Sequence, residues 1–323
     1  MKTKLPIQGS LILASLLAFH ATAGESLPMP TFHGNFDVSF GIELAEEVAF
    51  AFNDAPGDAN YIGIEGIIPL DTGDTLTYLH EANMDLIDGG GFGGSYQTYL
   101  GYKNADSEYR IGNLDLPLRR VMDKADLFSG TYADLNNVVV PNTTANSALM
   151  FLSQTSELTY AYSIDFQNSE NANDEDAIKK MRLGAMADMP INESFGLAAG
   201  LEVSDFSTDI GFVASFEVNE DVSLNASISR SDRDATAPLT ITIGGYTRFG
   251  DDARIKAQIG MQDPDTKADN AILLAVGYDR KIASNLTVYG LIGVGPDGGL
   301  QATVEQDKDG SGNVIAVGMN LSF

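Results

Sequence analysis

From Phe32 to the terminal Phe323 the chain alternates in steps of two. Phe32, Phe36, Val38 and Phe40 alternate with His33, Asn35, Asp37 and Ser39. At the far end Ile315, Val317, Met319, Leu321 and Phe323 alternate with Val314, Ala316, Gly318, Asn320 and Ser322. Such alternation sends one set of side chains to each face of an extended strand. Segments of this kind fall near 31–42, 59–68, 74–85, 94–103, 107–113, 146–153, 157–166, 177–187, 194–203, 208–217, 222–230, 239–248, 253–261, 270–280, 286–294 and 312–323, sixteen in all. A soluble sandwich would turn the apolar rows onto a core. A transmembrane barrel would turn them to lipid and leave small and polar residues for its lumen.

The connections discriminate between the two. Tight ones lie at Asp71–Gly73, Asn104–Asp106, Gln154–Ser156, Pro190–Glu193, Val218–Asp221, Gly250–Asp252 and Ala283–Asn285, and most of those between them are longer and rich in Gly, Asn, Asp and Pro. Short turns at one end and long loops at the other describe an up-and-down membrane barrel; a sandwich requires no such asymmetry. Lipid admits β-structure only when closure pairs every strand edge. The expected fold is therefore all-β, a 16-stranded antiparallel transmembrane barrel.

The start of the chain fits export. Met1-Lys2-Thr3-Lys4 is basic, Leu11 to Phe19 is apolar, and Ala21-Thr22-Ala23 is a small-x-small site, so residues 1–23 read as a signal peptide and 24–323 as the barrel. No later apolar run approaches the roughly 20 residues of a spanning helix. There are no cysteines, and the formal charge is −26. Losing Lys2 and Lys4 with the signal makes the remainder more negative still. A field of that sign repels nucleic acid and gathers cations. No cofactor or metal motif is evident. Asp307-Lys308-Asp309-Gly310-Ser311-Gly312-Asn313 has half of a calcium loop's spacing but no distal Glu, and reads better as a polar hairpin tip.

Several segments resemble the Gram-negative general porins, a trimeric sixteen-stranded family. Phe32-His33-Gly34-Asn35-Phe36-Asp37-Val38 is similar to their opening strand, and Tyr61-Ile62-Gly63-Ile64-Glu65-Gly66 to a following Leu-Gly-Phe-Lys-Gly segment. Leu79-His80-Glu81 resembles a Gln-Leu-Glu-like strand end, Gln97-Thr98-Tyr99-Leu100-Gly101-Tyr102 a Gln-Ala-Tyr-Val-Gly-Leu strand, and Tyr109-Arg110-Ile111-Gly112 the approach to the inner loop. Leu321-Ser322-Phe323 resembles the terminal assembly signal. The likeness covers the first 130 residues and the last strand; the middle agrees only in rhythm. It implies passive diffusion of small hydrophilic solutes and ions, a homotrimer, and outer-membrane lipid and lipopolysaccharide as surroundings.

The same resemblance implies a third outer loop folded inward as a constriction. Here that loop is 114–145, and a stretch so long is usually functional or disordered. Asp123-Lys124-Ala125-Asp126-Leu127-Phe128-Ser129-Gly130 resembles the family's acidic loop tip. Asp123, Asp126 and Asp134 are thus expected to present carboxylates to the pore, the alternative being an ordinary solvated loop. Asp37, Glu65 and Glu81 are expected on the lumen side of the first strands. The family's facing ladder of basic residues is incomplete, since Asn60, Glu65 and Asn113 stand where Arg or Lys is common. By alternation Arg110, Arg182, Arg254 and Lys256 point inward and could rebuild a basic wall, while Arg119 and Arg120 lie in the loop itself. A modest cation preference is expected.

Acidic clusters at Glu43, Glu46, Glu47, Asp54 and Asp58, and at Glu170, Asp174, Glu175 and Asp176, suit divalent bridges to lipopolysaccharide or plain solvation. Tyr99, Tyr102, Tyr109, Tyr160, Tyr162, Tyr278 and Tyr289 are candidates for interfacial girdles, with no Trp to share the role. Three rival functions remain. A barrel enzyme would need a nucleophile and base, yet His33 and His80, the histidines beyond residue 23, lie in no such arrangement, so no catalysis is expected. A sugar or oligosaccharide channel would need an aromatic track along its lumen, which alternation does not clearly provide. An adhesive barrel would conduct nothing.

Overall fold

In the computed structural model, residues 28–44, 48–53, 60–87, 91–135, 144–166, 181–205, 207–233, 237–263, 271–295 and 312–323 are described. Residues 1–23, expected to be a signal peptide, residues 136–143 of the expected constriction loop, the acidic cluster at 170–176, Glu46, Glu47, Asp54, Asp58 and the 307–311 segment lie outside them. Seventeen strands follow one another: β1 Thr31–Leu44, β2 Val48–Asn53, β3 Tyr61–Pro69, β4 Thr75–Asp85, β5 Gly91–Asn104, β6 Ser107–Asp115, β7 Thr144–Gln154, β8 Thr159–Asp165, β9 Arg182–Asn192, β10 Phe195–Val203, β11 Ser207–Glu217, β12 Val222–Arg233, β13 Leu239–Phe249, β14 Ala253–Asp263, β15 Ala271–Ala283, β16 Leu286–Gly295 and β17 Gly312–Ser322. Between β6 and β7 stand a short helix, α1 (Pro117–Met122), and a 3₁₀ turn (Asp123–Ala125).

From β3 to β17 each strand pairs antiparallel with the next, and β1 closes the ring on β17, with Phe36 opposite Leu321 and Ile42 opposite Ile315. The terminal Phe323 joins the closure by exchanging backbone hydrogen bonds with Gly34. The extra strand is β2. It pairs with the second half of β1 (Ser39 opposite Asn53), while β3 pairs with the first half (Asn35 opposite Tyr61). The two share one place, so the closed barrel is sixteen strands around. Most other strands fall within a few residues of their sequence positions. A second departure is β9, which runs on through Pro190 to Asn192, where a turn was expected.

Residues opposite one another in a ladder share a face, so pairing carries one face around the barrel. Leu201, Ile210, Phe212, Ile228, Ile243, Ile259, Leu274, Val276, Ile292 and Val317 form exposed, mostly aliphatic rows on one face. The other face bears Glu202, Asp209, Ser227, Ser229, Ser231, Thr240, Thr242 and Gln258, all buried. A soluble protein would reverse these rows, whereas a bilayer requires them. Val276, in the middle of β15, gives a direct test. Val276→Lys is expected to cost about 2–4 kcal/mol of folding stability in bilayers, read by denaturant titration in lipid vesicles; no loss would mean that this face does not meet lipid.

The tyrosines divide between the faces. Tyr102, Tyr109, Phe151, Tyr160 and Tyr162 stack in a continuous outer-face cluster beside the short turns, with neighbouring centroids 5.0–6.5 Å apart. This is the geometry of an interfacial belt. Tyr99 and Tyr289 do not join it. Both have inward parity: Tyr99 lies under Arg110, and the Tyr289 hydroxyl donates to Asp37.

Candidate functional site

The segment after β6 is unlike an ordinary surface loop. Leu114, Leu116, Leu118, Val121, Phe128, Tyr132 and Leu135 are almost completely buried. Pro117 opens α1, where its fixed φ suits the first turn and its missing N–H costs nothing. Leu118, Val121 and Met122 then fall on one side of the helix at spacings of three and four. They pack against β10 and β11 where glycines remove the obstruction. A Cβ on Gly200 would lie 2.9 Å from Leu118, and one on Gly211 would lie 2.5 Å from the Met122 sulfur.

The tip is held by its own short-range bonds. Asp126 accepts from the Phe128 N–H at 2.8 Å and the Leu135 N–H at 3.1 Å, and Asp134 accepts from Gly130 N–H at 2.8 Å. Gly130 has φ +74°, a backbone state that L side chains rarely adopt. Thr131 donates its hydroxyl to the Phe128 carbonyl at 2.7 Å. These bonds aim two aromatic anchors at the sheet. Phe128 fills the space over Gly277, and Tyr132 that over Gly41; a Cβ at these glycines would approach the rings to 2.7 and 2.9 Å. Gln258 of β14 clamps both arms, accepting from Leu127 N–H at 3.0 Å and donating to the Ala133 carbonyl at 2.8 Å. Lys124 pairs with Asp188 of β9. Every one of these wall positions belongs to the face opposite the aliphatic rows.

The expected acidic and basic residues separate into different roles. Asp123, half exposed, pairs with Arg119 at 3.7 Å. Asp126 and Asp134 differ from expectation: they turn into the loop, because its backbone N–H groups need acceptors that water cannot reach. Burial and the adjacent Asp134 carboxyl hold Asp126 well above the usual carboxylate range. Most of the basic wall is already neutralised. Arg110 pairs with Glu108 at 2.7 Å, Arg182 with Glu202 at 3.5 Å, and Arg254 and Lys256 with Asp279 at 2.7 and 3.2 Å. Lys256 also lies under the Phe128 ring, 4.5 Å from its centroid. Arg119 reaches Asp115 at 3.4 Å, whereas Arg120 contacts the Met150 sulfur at 3.6 Å.

On the wall of the first strands, Asp37 is buried among Tyr289 and Asn320, Glu81 bonds His33 at 2.9 Å, and Glu65 is exposed. One feature there escapes alternation. A register shift between His80 and Ala82 in the β4–β5 ladder lets Tyr96 share the inner face with Gln97 and Tyr99. Tyr96 then meets Tyr61 at 5.5 Å. Gln258 and Tyr289 were legible as inward-parity residues, but nothing in the sequence marked them as anchors.

A family model described as Gram-negative porin matches residues 10–295. No curated protein sequence matches the chain. Among solved structures, an anion-selective porin from Comamonas acidovorans aligns with TM-score 0.75 and 17% identity over 91% of this chain and 99% of that one. An outer-membrane-expressed OmpT of Vibrio cholerae aligns at 0.67 and 14% over 91% and 97%. A mutant Rh. blastica porin aligns at 0.68 and 15% over 91% and 100%. The closed barrel, its aliphatic outer rows and the match along most of its length agree: this chain is an outer-membrane protein that belongs to the Gram-negative porin family.

Proposed function

We propose that the chain is a passive diffusion channel for small hydrophilic solutes and ions, with the third outer loop, described over 114–135, seated inside the barrel as its constriction. The observation that carries this reading is the loop's contact set. Phe128, Tyr132, Leu118 and Gln258 join it to the polar-parity face of β1, β10, β14 and β15. That seating leaves the passage between the loop and the wall of β3–β5. Glu65 and Glu81 lie on that wall, Asp123 on the loop's exposed side, and the basic residues are largely paired, so a modest cation preference follows. The Comamonas relative is described as anion-selective, which makes the sign of selectivity the sharpest test. Purified protein in planar bilayers under a KCl gradient is expected to conduct with a cation-selective reversal potential; anion selectivity overturns the preference, and silence overturns the channel.

A homotrimer in lipid and lipopolysaccharide is part of this reading, supported by a related Vibrio cholerae OmpT structure described as a trimer. Catalysis is not part of it. His33 bonds Glu81 on the inner face and His80 bonds Thr98 on the outer, so the two histidines do not meet. A solute-specific channel is the second reading, favoured by the Tyr61–Tyr96 pair. Liposome swelling with neutral sugars of increasing size separates the two: a smooth cutoff marks general diffusion, and saturation marks a binding track.

A further inference from the structure

We propose that a small polar cavity at the root of the loop binds one small monovalent anion of halide size, between Arg110 of β6 and Arg120 of α1. The cavity has a volume of about 110 Å³ and is lined by Gln97, Arg110, Leu114, Asp115, Arg120 and Met150. Its wall thus carries two guanidinium groups and one carboxylate. That carboxylate is already engaged, by Gln97 at 2.7 Å and by Arg119 at 3.4 Å.

Arg110 spends one terminal nitrogen on Glu108 at 2.7 Å, but its Nε is buried with no hydrogen-bond acceptor among the described residues. Arg120 is worse matched. Its hydrogen-bonding contact among the described residues is the Met150 thioether at 3.6 Å, a weak acceptor for a guanidinium. Burial and the Arg110 charge push the Arg120 pKa down, and the Asp115 and Glu108 carboxylates offset them only in part. Arginine nevertheless keeps its proton in proteins, so it does not escape by neutralising. A buried cation facing a like charge is costly unless an anion supplies the missing partner. A halide between the two guanidinium groups would serve both and tie α1 to β6 and β7. Seating of the loop then depends on the anion, which is independent of whether the barrel conducts.

The full-length processed protein in detergent micelles provides the test, with hydrogen exchange of residues 117–135 followed as sodium chloride replaces sodium gluconate at constant ionic strength. Gluconate, a six-carbon sugar acid, is too large for the cavity. Chloride and bromide are each expected to slow exchange saturably, by threefold or more. Arg120→Met removes the charge at similar length; it is expected to lose the halide response and to be at least as protected in gluconate as the wild type. Equal wild-type exchange in the two salts overturns the site, as does an unchanged halide response in Arg120→Met. Should that variant misfold, bromide-soaked wild-type crystals decide: an anomalous peak between Arg110 and Arg120 supports the site, and its absence overturns it. A silent channel with halide-dependent exchange would sink the conduction reading and leave this one standing.

Discussion

Replacing Phe128 with alanine is expected to free the loop tip and raise single-channel conductance, while the barrel stays folded. The ring is wholly buried over Gly277 and covers Lys256. Removing such a ring costs about 3–5 kcal/mol through lost transfer energy and the cavity left behind. At roughly 1.4 kcal/mol per factor of ten, the seated loop would lose about two to three and a half powers of ten against the released one. The barrel itself rests on its backbone ladders and not on this contact, so its unfolding midpoint should move little. Two measurements check this: conductance with current noise in bilayers, and hydrogen exchange at 117–135. Gly277→Val attacks the contact from the wall, since its Cβ would meet the ring at 2.7 Å. Wild-type conductance and protection in both variants would show that the tip is not held here.

The second large effect is on pH. Asp126 and Asp134 are hydrogen-bonded to each other inside the loop, and burial and the Asp134 carboxyl keep Asp126 protonated beyond the usual carboxylate range. A carboxyl whose seated-state pKa is raised contributes stability that is fully present below its free value and is lost as pH rises through the seated value. The loop should therefore be most firmly seated in acid and loosen with increasing pH, by at most about 1.4 kcal/mol per pH unit within that window. Exchange rates at 117–135 should rise with pH beyond the intrinsic chemical trend. Asp134→Asn is expected to flatten the dependence. Its amide can donate to an ionised Asp126, while its carbonyl still accepts from Gly130 N–H. A profile that is flat in the wild type, or equally steep in Asp134→Asn, would exclude the pair as the source.

Alternation and turn spacing were enough to read the barrel, because lipid outside and water inside impose opposite demands on neighbouring residues. By parity His33, Arg110, Arg182, Arg254 and Lys256 were expected on one face, and the ladders set them on the same face as Asp37 and Glu81, opposite the exposed apolar rows. Parity failed wherever a ladder slips. The shift between His80 and Ala82 brought Tyr96 to the inner face beside Tyr61, and no local pattern announces a bulge. It failed again at β2, where two segments share one place against β1.

The loop shows a different division. Its length and its likeness to an inward-folding loop singled it out in the sequence, but the burial of its apolar residues between Leu114 and Leu135 emerges with the fold. Its acids looked like pore-facing carboxylates because charge is read from residue type, whereas Asp126 and Asp134 turn inward to satisfy backbone N–H groups that only the folded tip creates. Strand periodicity is local, so alternation along the chain was enough for the barrel and for the expected orientation of most strand residues. Which of them hold the loop, and which are cancelled by a partner, depends on long-range contacts: Gly277 meets Phe128, and Arg254 meets Asp279, across separations that no local rule spans.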